Sequence, residues 1–247
     1  MNVQIFKDIE ALSHAAADLF VRSATQAVEK HGRFLVALSG GGTPSGLYRL
    51  LARKPFRDQI AWDRTFVFWG DERCVPPDDE GSNYKQAEEV LLKHVPIPDE
   101  NILRVKGELS PHEASEAYAQ TLKAFADPGL DWPRFDLVLL GMGDDGHTAS
   151  LFPGSQVETS SPTLAVTADY QDRPANRVTL TSLVFNSARN VLFLVAGESK
   201  ALTLSVVLSD TSNQELYPAQ RIQPTDGELI WFVDESAASK LQDSTSG

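Results

Sequence analysis

The stretch FDLVLLGMGDDGHTAS (135–150) divides into two chemically opposite halves. The first is a nearly continuous apolar run. The second holds glycines, two adjacent aspartates and a histidine. An apolar run without alternation reads as a strand buried on both faces, which requires helices on both sides of its sheet. The polar half then falls just beyond the strand's carboxyl end, where open α/β sheets bind their ligands. Two questions follow: whether other strands of the chain end in the same way, and what chemistry the turn serves.

Three other apolar runs do end this way. FLVALS (34–39) leads into Gly40-Gly41-Gly42-Thr43-Pro44, TFVFWG (65–70) into Asp71-Glu72-Arg73, and NVLFLVAG (190–197) into Glu198-Ser199-Lys200. Helical patterns lie between them. Residues 7–31 carry apolar positions at Ile9, Leu12, Ala16, Leu19 and Val28, with Gly32 placed as a stop. Pro44 suits the first turn of a helix running through Leu47, Leu50 and Leu51. Ser82 can cap a helix over 83–94, and Ser110-Pro111-His112-Glu113 has capping-box spacing for a helix reaching about Ala126. Residues 198–208 are also helical in pattern. NILRV (101–105), TLAVTAD (163–169), RVTLT (177–181) and ELIWFVD (228–234) complete the strand candidates. The alternation predicts an α/β fold, a doubly wound and mostly parallel sheet flanked by helices, with an antiparallel excursion between 163 and 181. The polar stretches at 76–81 and 153–162 read as loops. No linker stands out, so a single domain is expected over 1–247.

The bulk composition limits the partners. The chain has 247 residues, 42% of them hydrophobic and 23% charged, as in ordinary globular proteins. Its 22 basic and 34 acidic residues leave a net charge of −12, which repels phosphate backbones and anionic lipid. Neither a nucleic-acid nor a membrane partner is expected, and any anionic substrate needs a local positive site. One cysteine, Cys74, allows no internal disulfide and fits a reducing cytoplasm; it reads as a small buried hydrophobe rather than a nucleophile. The N-terminal segment lacks a signal peptide's pattern, and no apolar run approaches the roughly 20 residues that span a bilayer. A cytoplasmic location is expected. A monomer is expected too, because no long exposed apolar strip stands out.

The polar turns differ in what they offer. SGGGTPSG (39–46) combines close backbone approach with a helix N-terminus, a pairing suited to phosphate, although the same residues would also make a plain strand-to-helix turn. It is neither a P-loop nor a dinucleotide fingerprint. In GDER (70–73) the simple reading is a solvated loop; the functional one uses Arg73 as a fork-shaped donor to an anionic oxygen, held by Glu72 or Asp71. His147 is the natural neutral-pH proton acceptor, with Asp145, or alternatively Asp71, orienting its ring. His14, His31, His94 and His112 lie on helical stretches without companions and read as surface or structural residues. Asp144, Asp145 and His147 could meet a divalent cation. However, no second histidine stands at metal-ligand spacing and there is no cysteine cluster, so neither metal nor cofactor is expected. No GxSxG nucleophile elbow occurs.

Taken in order, SGGGTP (39–44), WGDERCVP (69–76), SNY (82–84), GMGDDGHTASLFPG (141–154), RVTLT (177–181) and GESK (197–200) resemble the 6-phosphogluconolactonase family across nearly the whole chain. The resemblance implies a Rossmann-like α/β fold shared with glucosamine-6-phosphate deaminases and sugar-phosphate isomerases. It also implies hydrolysis of 6-phospho-D-glucono-1,5-lactone, a sugar-phosphate lactone, to 6-phosphogluconate. The related deaminases typically carry a glutamate five residues after the histidine; here that position is Phe152. Members commonly have Ser-Pro-Lys-Pro-Pro before RVTLT, whereas this chain has Gln171-Asp172-Arg173-Pro174-Ala175, so Arg173 takes the lysine's place with different donor geometry. The expected catalytic residues are His147, Asp145 and Arg73. The expected substrate-binding residues are Gly40, Gly41, Gly42, Thr43, Asp71, Arg173, Arg177 and Lys200, with phosphate on the Gly41–Thr43 turn and Arg177 and Lys200 converging on it.

Overall fold

Every residue of Leu137–Leu140 is buried, and the pleat sends successive side chains to opposite faces. Leu137 and Leu139 pack with one hydrophobic cluster, Val138 and Leu140 with another. Phe34, Val36 and Leu38 likewise join the first cluster, and Leu35 and Ala37 the second. The uninterrupted apolar runs are thus two interleaved faces. Each fully buried side chain of this size contributes roughly 1.5–3 kcal/mol.

The computed structural model describes residues 2–155, 160–170, 173–209 and 211–241. Part of the loop expected at 153–162, residues 156–159, and the Gln171-Asp172 pair lie outside them. The elements in chain order are β1 (Asn2–Phe6), α1 (Ile9–His31), β2 (Phe34–Leu38), α2 (Gly42–Leu51), β3 (Thr65–Trp69), β4 (Asp71–Arg73), α3 (Asn83–Val90) and α4 (Pro111–Ala124). They continue with β5 (Leu137–Leu140), β6 (Thr163–Thr167), β7 (Asn176–Leu180), α5 (Ser182–Asn186), β8 (Asn190–Val195), α6 (Ala201–Val207), β9 (Glu228–Asp234) and α7 (Glu235–Ala238). The main sheet has the order β1-β9-β8-β5-β2-β3 and every pairing in it is parallel. From β2 the chain winds outward to β3; from β5 it winds the other way, through β8 and β9. The order therefore reverses between β2 and β5, and a ligand crevice belongs at their carboxyl ends. Those ends carry Gly40–Thr43 and Gly141–His147.

A second, antiparallel sheet of order β4-β7-β6 lies past the end of β3. It is the excursion expected at 163–181, with one correction: Asp71–Arg73, read as a solvated loop, is a strand paired with β7. The helix boundaries follow their capping chemistry. Asp8 caps α1 and Gly32 ends it at φ 73°, while Ser110 and Glu113 close the capping box of α4. The helix expected over 83–94 stops at Val90 and finishes as a 3-10 turn over Leu92–His94; that expected over 198–208 opens with a 3-10 turn over Glu198–Lys200. Residues 101–105 are not a strand. A 3-10 turn over Asp99–Asn101 takes in the first of them, they touch β3 through one bridge between Val67 and Ile102, and Arg104 grips Glu108 with two 2.8 Å hydrogen bonds. No helix among the described residues is long and apolar enough to cross a membrane.

Candidate active site

Two buried tyrosines hold the strand ends where the site begins. The Tyr48 hydroxyl donates to the Ser39 carbonyl at 2.6 Å and accepts the Ser39 N–H at 3.1 Å. Tyr118 repeats the arrangement on Trp69, donating at 2.8 Å and accepting at 2.9 Å. Burial drives both phenols well above their ordinary pKa, so they stay neutral donors. Each bonds both backbone groups of the last residue before a glycine turn, which fixes where the turn departs.

The turns meet in a cleft of about 270 Å³ whose lining includes Ser39, Gly40–Pro44, Asp71, Arg73, Asn83, His147, Tyr170, Arg173, Arg177 and Lys200. All eleven residues expected to form the site bear on this region, and all but Asp145 line the cleft itself. Asp145 acts through His147: its Oδ1 lies 2.6 Å from the ring Nδ1 and accepts the His147 backbone N–H at 3.1 Å. With Nδ1 engaged, Nε2 is the nitrogen left for chemistry in the cleft. Burial would raise the Asp145 pKa, but the bonds and charge of His147 outweigh it and hold the carboxyl below its usual range. Asp71, the alternative orienting group, is occupied elsewhere. It accepts from Ser150 Oγ at 2.7 Å and from Asn83 Nδ2 at 3.3 Å.

The imidazole is also wedged by rings. Phe152 lies 4.5 Å from it centroid to centroid, and Tyr170 meets it edge-on at 4.6 Å and 80°. The position where the deaminases carry a glutamate is therefore filled by an apolar wall. Gly143 closes the other side. A β-carbon there would sit 2.1 Å from His147 Nδ1 and 2.6 Å from Asp145 Oδ1. Because the rings leave the imidazole nowhere to retreat, Gly143→Ala should break the His–Asp pair. A misplacement of about 1 Å can cost about 10²-fold in rate, so that loss in kcat is expected with an unchanged circular dichroism spectrum.

The cationic side of the cleft comes from the antiparallel sheet. Arg73 and Arg177 are direct cross-strand partners, and Asp71 is two residues from Arg73, so the pleat puts all three on one face. Like charges placed opposite each other in this way destabilise a sheet. Arg177 is 2% exposed, and its Nε and Nη2 have no hydrogen-bond partner among the described residues. Burial lowers its pKa, countered by the Asp71 charge, and its guanidinium lies 5.4 Å from the centre of the Phe152 ring. Arg73 donates through Nη1 to the Gly81 carbonyl at 2.6 Å while its Nε has no partner among the described residues. Neither Glu72 nor Asp71 holds the Arg73 side chain, contrary to expectation. Glu72 points to the opposite face, where it accepts the N–H groups of Arg73, Asn83 and Tyr84, each at 2.7 Å. Burial raises its pKa, and those three bonds offset the rise in part.

Opposite the arginines, α2 is preceded by its N-cap Gly41, in a backbone conformation (φ 110°, ψ 175°) open essentially to glycine alone. No side chain caps this helix, so the first-turn N–H groups at Gly42 and Thr43 are left for a ligand. Lys200 lines the cleft, but its ammonium is paired with Asp144 at 2.7 Å. Asp144 also accepts from Ser199 at 3.0 Å. Burial works against ionisation of Asp144, yet the Lys200 and Ser199 bonds hold its pKa below the ordinary value. The two adjacent aspartates thus have separate tasks, Asp145 on the histidine and Asp144 on the lysine.

Fold and site together define a class: an open α/β enzyme with a histidine–aspartate pair at its topological switch point, facing a helix N-terminus and a group of arginines. A family model described as glucosamine-6-phosphate isomerases/6-phosphogluconolactonase matches residues 7–231. The chain is 39% identical over 243 residues to a 6-phosphogluconolactonase of Nostoc, covering 97% of this chain and 98% of that one. Among solved structures, the 6-phosphogluconolactonase of Trypanosoma brucei superposes with a TM-score of 0.85 at 29% identity, covering 97% and 98% of the two chains. A monomeric glucosamine-6-phosphate deaminase shares the fold, with a TM-score of 0.84 at 22% identity, covering 97% of this chain and all of the other (100%). The chain belongs to the glucosamine-6-phosphate isomerase/6-phosphogluconolactonase family.

Proposed function

We infer that the chain hydrolyses 6-phospho-D-glucono-1,5-lactone to 6-phospho-D-gluconate, the second step of the oxidative pentose phosphate pathway. The observation that carries this reading is the His147–Asp145 pair set in one cleft with an uncapped helix N-terminus and under-partnered arginines. His147 Nε2 takes a proton from a water molecule as its oxygen bonds to the lactone C1. The C1–ring-oxygen bond then breaks, and the proton passes from the imidazolium to the departing ring oxygen. The new carboxylic acid loses its proton to solvent. The lactone is an activated ester, so no covalent intermediate is needed. Asp145 keeps the ring in its productive tautomer and stabilises its charged form.

The phosphate sits between the first turn of α2 and the arginines. Arg73 and Arg173 line both the main cleft and an adjoining cavity beside Gly41 and Gly42, which puts them on the phosphate side. Arg177 completes that charge. Lys200 lines the same cleft, its ammonium paired with Asp144 of the histidine turn. The chain works as a single domain, since both core clusters share the strands of one sheet. A cytoplasmic monomer fits the lone Cys74 and the scattering of exposed large apolar residues, Ile5, Ile9, Leu109, Leu130, Leu202 and Leu216.

A coupled assay with freshly prepared lactone, run beside glucosamine 6-phosphate and corrected for spontaneous opening, tests the reading. Lactone turnover without ammonia release is expected. Ammonia release, or lactone binding without turnover, would overturn it.

A further inference from the structure

Gln86 has no part in the chemistry above, yet its side chain grips the turn proposed to hold phosphate. Its Oε1 accepts the Gly41 N–H at 2.9 Å, and its Nε2 donates to the Gly41 carbonyl at 2.9 Å and to Ser45 Oγ at 2.8 Å. Ser45 Oγ in turn reaches the same carbonyl at 3.2 Å. One amide thus occupies both backbone groups of Gly41, whose φ of 110° is open essentially to glycine alone. An amide that satisfies an N–H and a C=O of one residue fixes both the position and the rotation of that peptide. Glu72 anchors the other end of the device, since it binds the first N–H groups of α3, the helix that carries Gln86. The strand bearing Arg73 and the start of α2 are therefore tied to each other through α3.

We propose that Gln86 is a positioning residue for the substrate's phosphate: it holds Gly41 so that the N–H groups of Gly42 and Thr43 point at the phosphate in register with the arginines. The proposal rests on the phosphate placement above. The reacting end of the substrate lies with His147, whose turn Gln86 does not contact, so its removal acts on binding rather than on chemistry. Nothing in the sequence around Gln86 announces the role, because its partner lies on a different helix and is a backbone.

The test compares Gln86→Leu with the wild-type chain in two measurements: steady-state kinetics on the lactone, and titration of inorganic phosphate by calorimetry. A hydrogen bond to a charged group contributes about 1.5–3 kcal/mol, so misdirecting one such bond should raise KM by about 10-fold or more. The phosphate Kd should rise by a similar factor, with kcat retained. Ser45→Ala, which removes only the outer link, should shift both quantities in the same direction by less. A fall in kcat with KM and phosphate Kd unchanged would overturn the proposal, as would wild-type values throughout. If wild-type chain binds phosphate but does not open the lactone, the lactonase reading fails while the phosphate titration still decides the role of Gln86. Should Gln86→Leu not fold, the Ser45→Ala shift in phosphate Kd decides it.

Discussion

His147→Ala is expected to lower kcat on the lactone by about 10²- to 10⁴-fold, the usual contribution of a positioned general base. Product affinity should hardly change, because the proposed phosphate contacts lie on other elements. The geometry makes this variant a clean one. The imidazole is clasped by Asp145, Phe152 and Tyr170, and its removal leaves those groups satisfied or apolar, so a loss of rate is not a loss of fold. His147→Asn and Asp145→Asn separate the two roles. The first removes the base. The second leaves a base but no carboxylate to hold its tautomer, so it should be slow by a smaller factor. Rates must be read after subtracting the spontaneous opening of the lactone. A His147→Ala enzyme that matches wild type above that background would show that the water is activated by something else.

Much of this site could be read before any coordinates, and the reasons are local. Buried parallel strands are continuously apolar, and the polar turns follow them directly in sequence, so Gly40–Thr43 and Gly141–His147 were placed by position alone. Capping chemistry is equally local, which is why Asp8, Gly32, Ser110 and Glu113 behave as their types require. What stayed hidden depends on distant partners. The edge strand β1 is short, and it pairs with β9, the last strand of the chain. Asp71–Arg73 looked like a charged loop because its ladder partner, β7, comes far later. Glu72 seemed a natural mate for its neighbour Arg73, but strand pleating sends adjacent side chains to opposite faces. The tasks of Tyr48, Tyr118 and Gln86 are hydrogen bonds to backbone, which any residue could have offered. Lys200 lines the cleft, but its pairing with Asp144 depends on a partner from a distant turn.

The second large effect is expected at Arg177, and it has opposite signs for stability and for function. The side chain is buried, two of its nitrogens lack acceptors among the described residues, and another arginine faces it across the strand pair. Taking such a cation out of water costs several kcal/mol, and without a bonded anion little repays it. Methionine keeps an unbranched apolar stem at this position without the charge. Arg177→Met should therefore melt at the wild-type temperature or above it. The same change removes the charge-assisted contact to the phosphate proposed above. At about 1.5–3 kcal/mol for such a bond, KM should rise roughly 10- to 150-fold. Inorganic phosphate should raise the melting temperature of the wild-type protein, since a ligand stabilises the state it binds, and should do so much less in Arg177→Met. A variant that is less stable and retains its KM would mean that Arg177 serves the fold, with the phosphate held by Arg73, Arg173 and α2 alone. The expected pattern, a more stable protein that binds its substrate worse, is what an arginine kept for its ligand should produce, because the proposed partner of its charge is the phosphate.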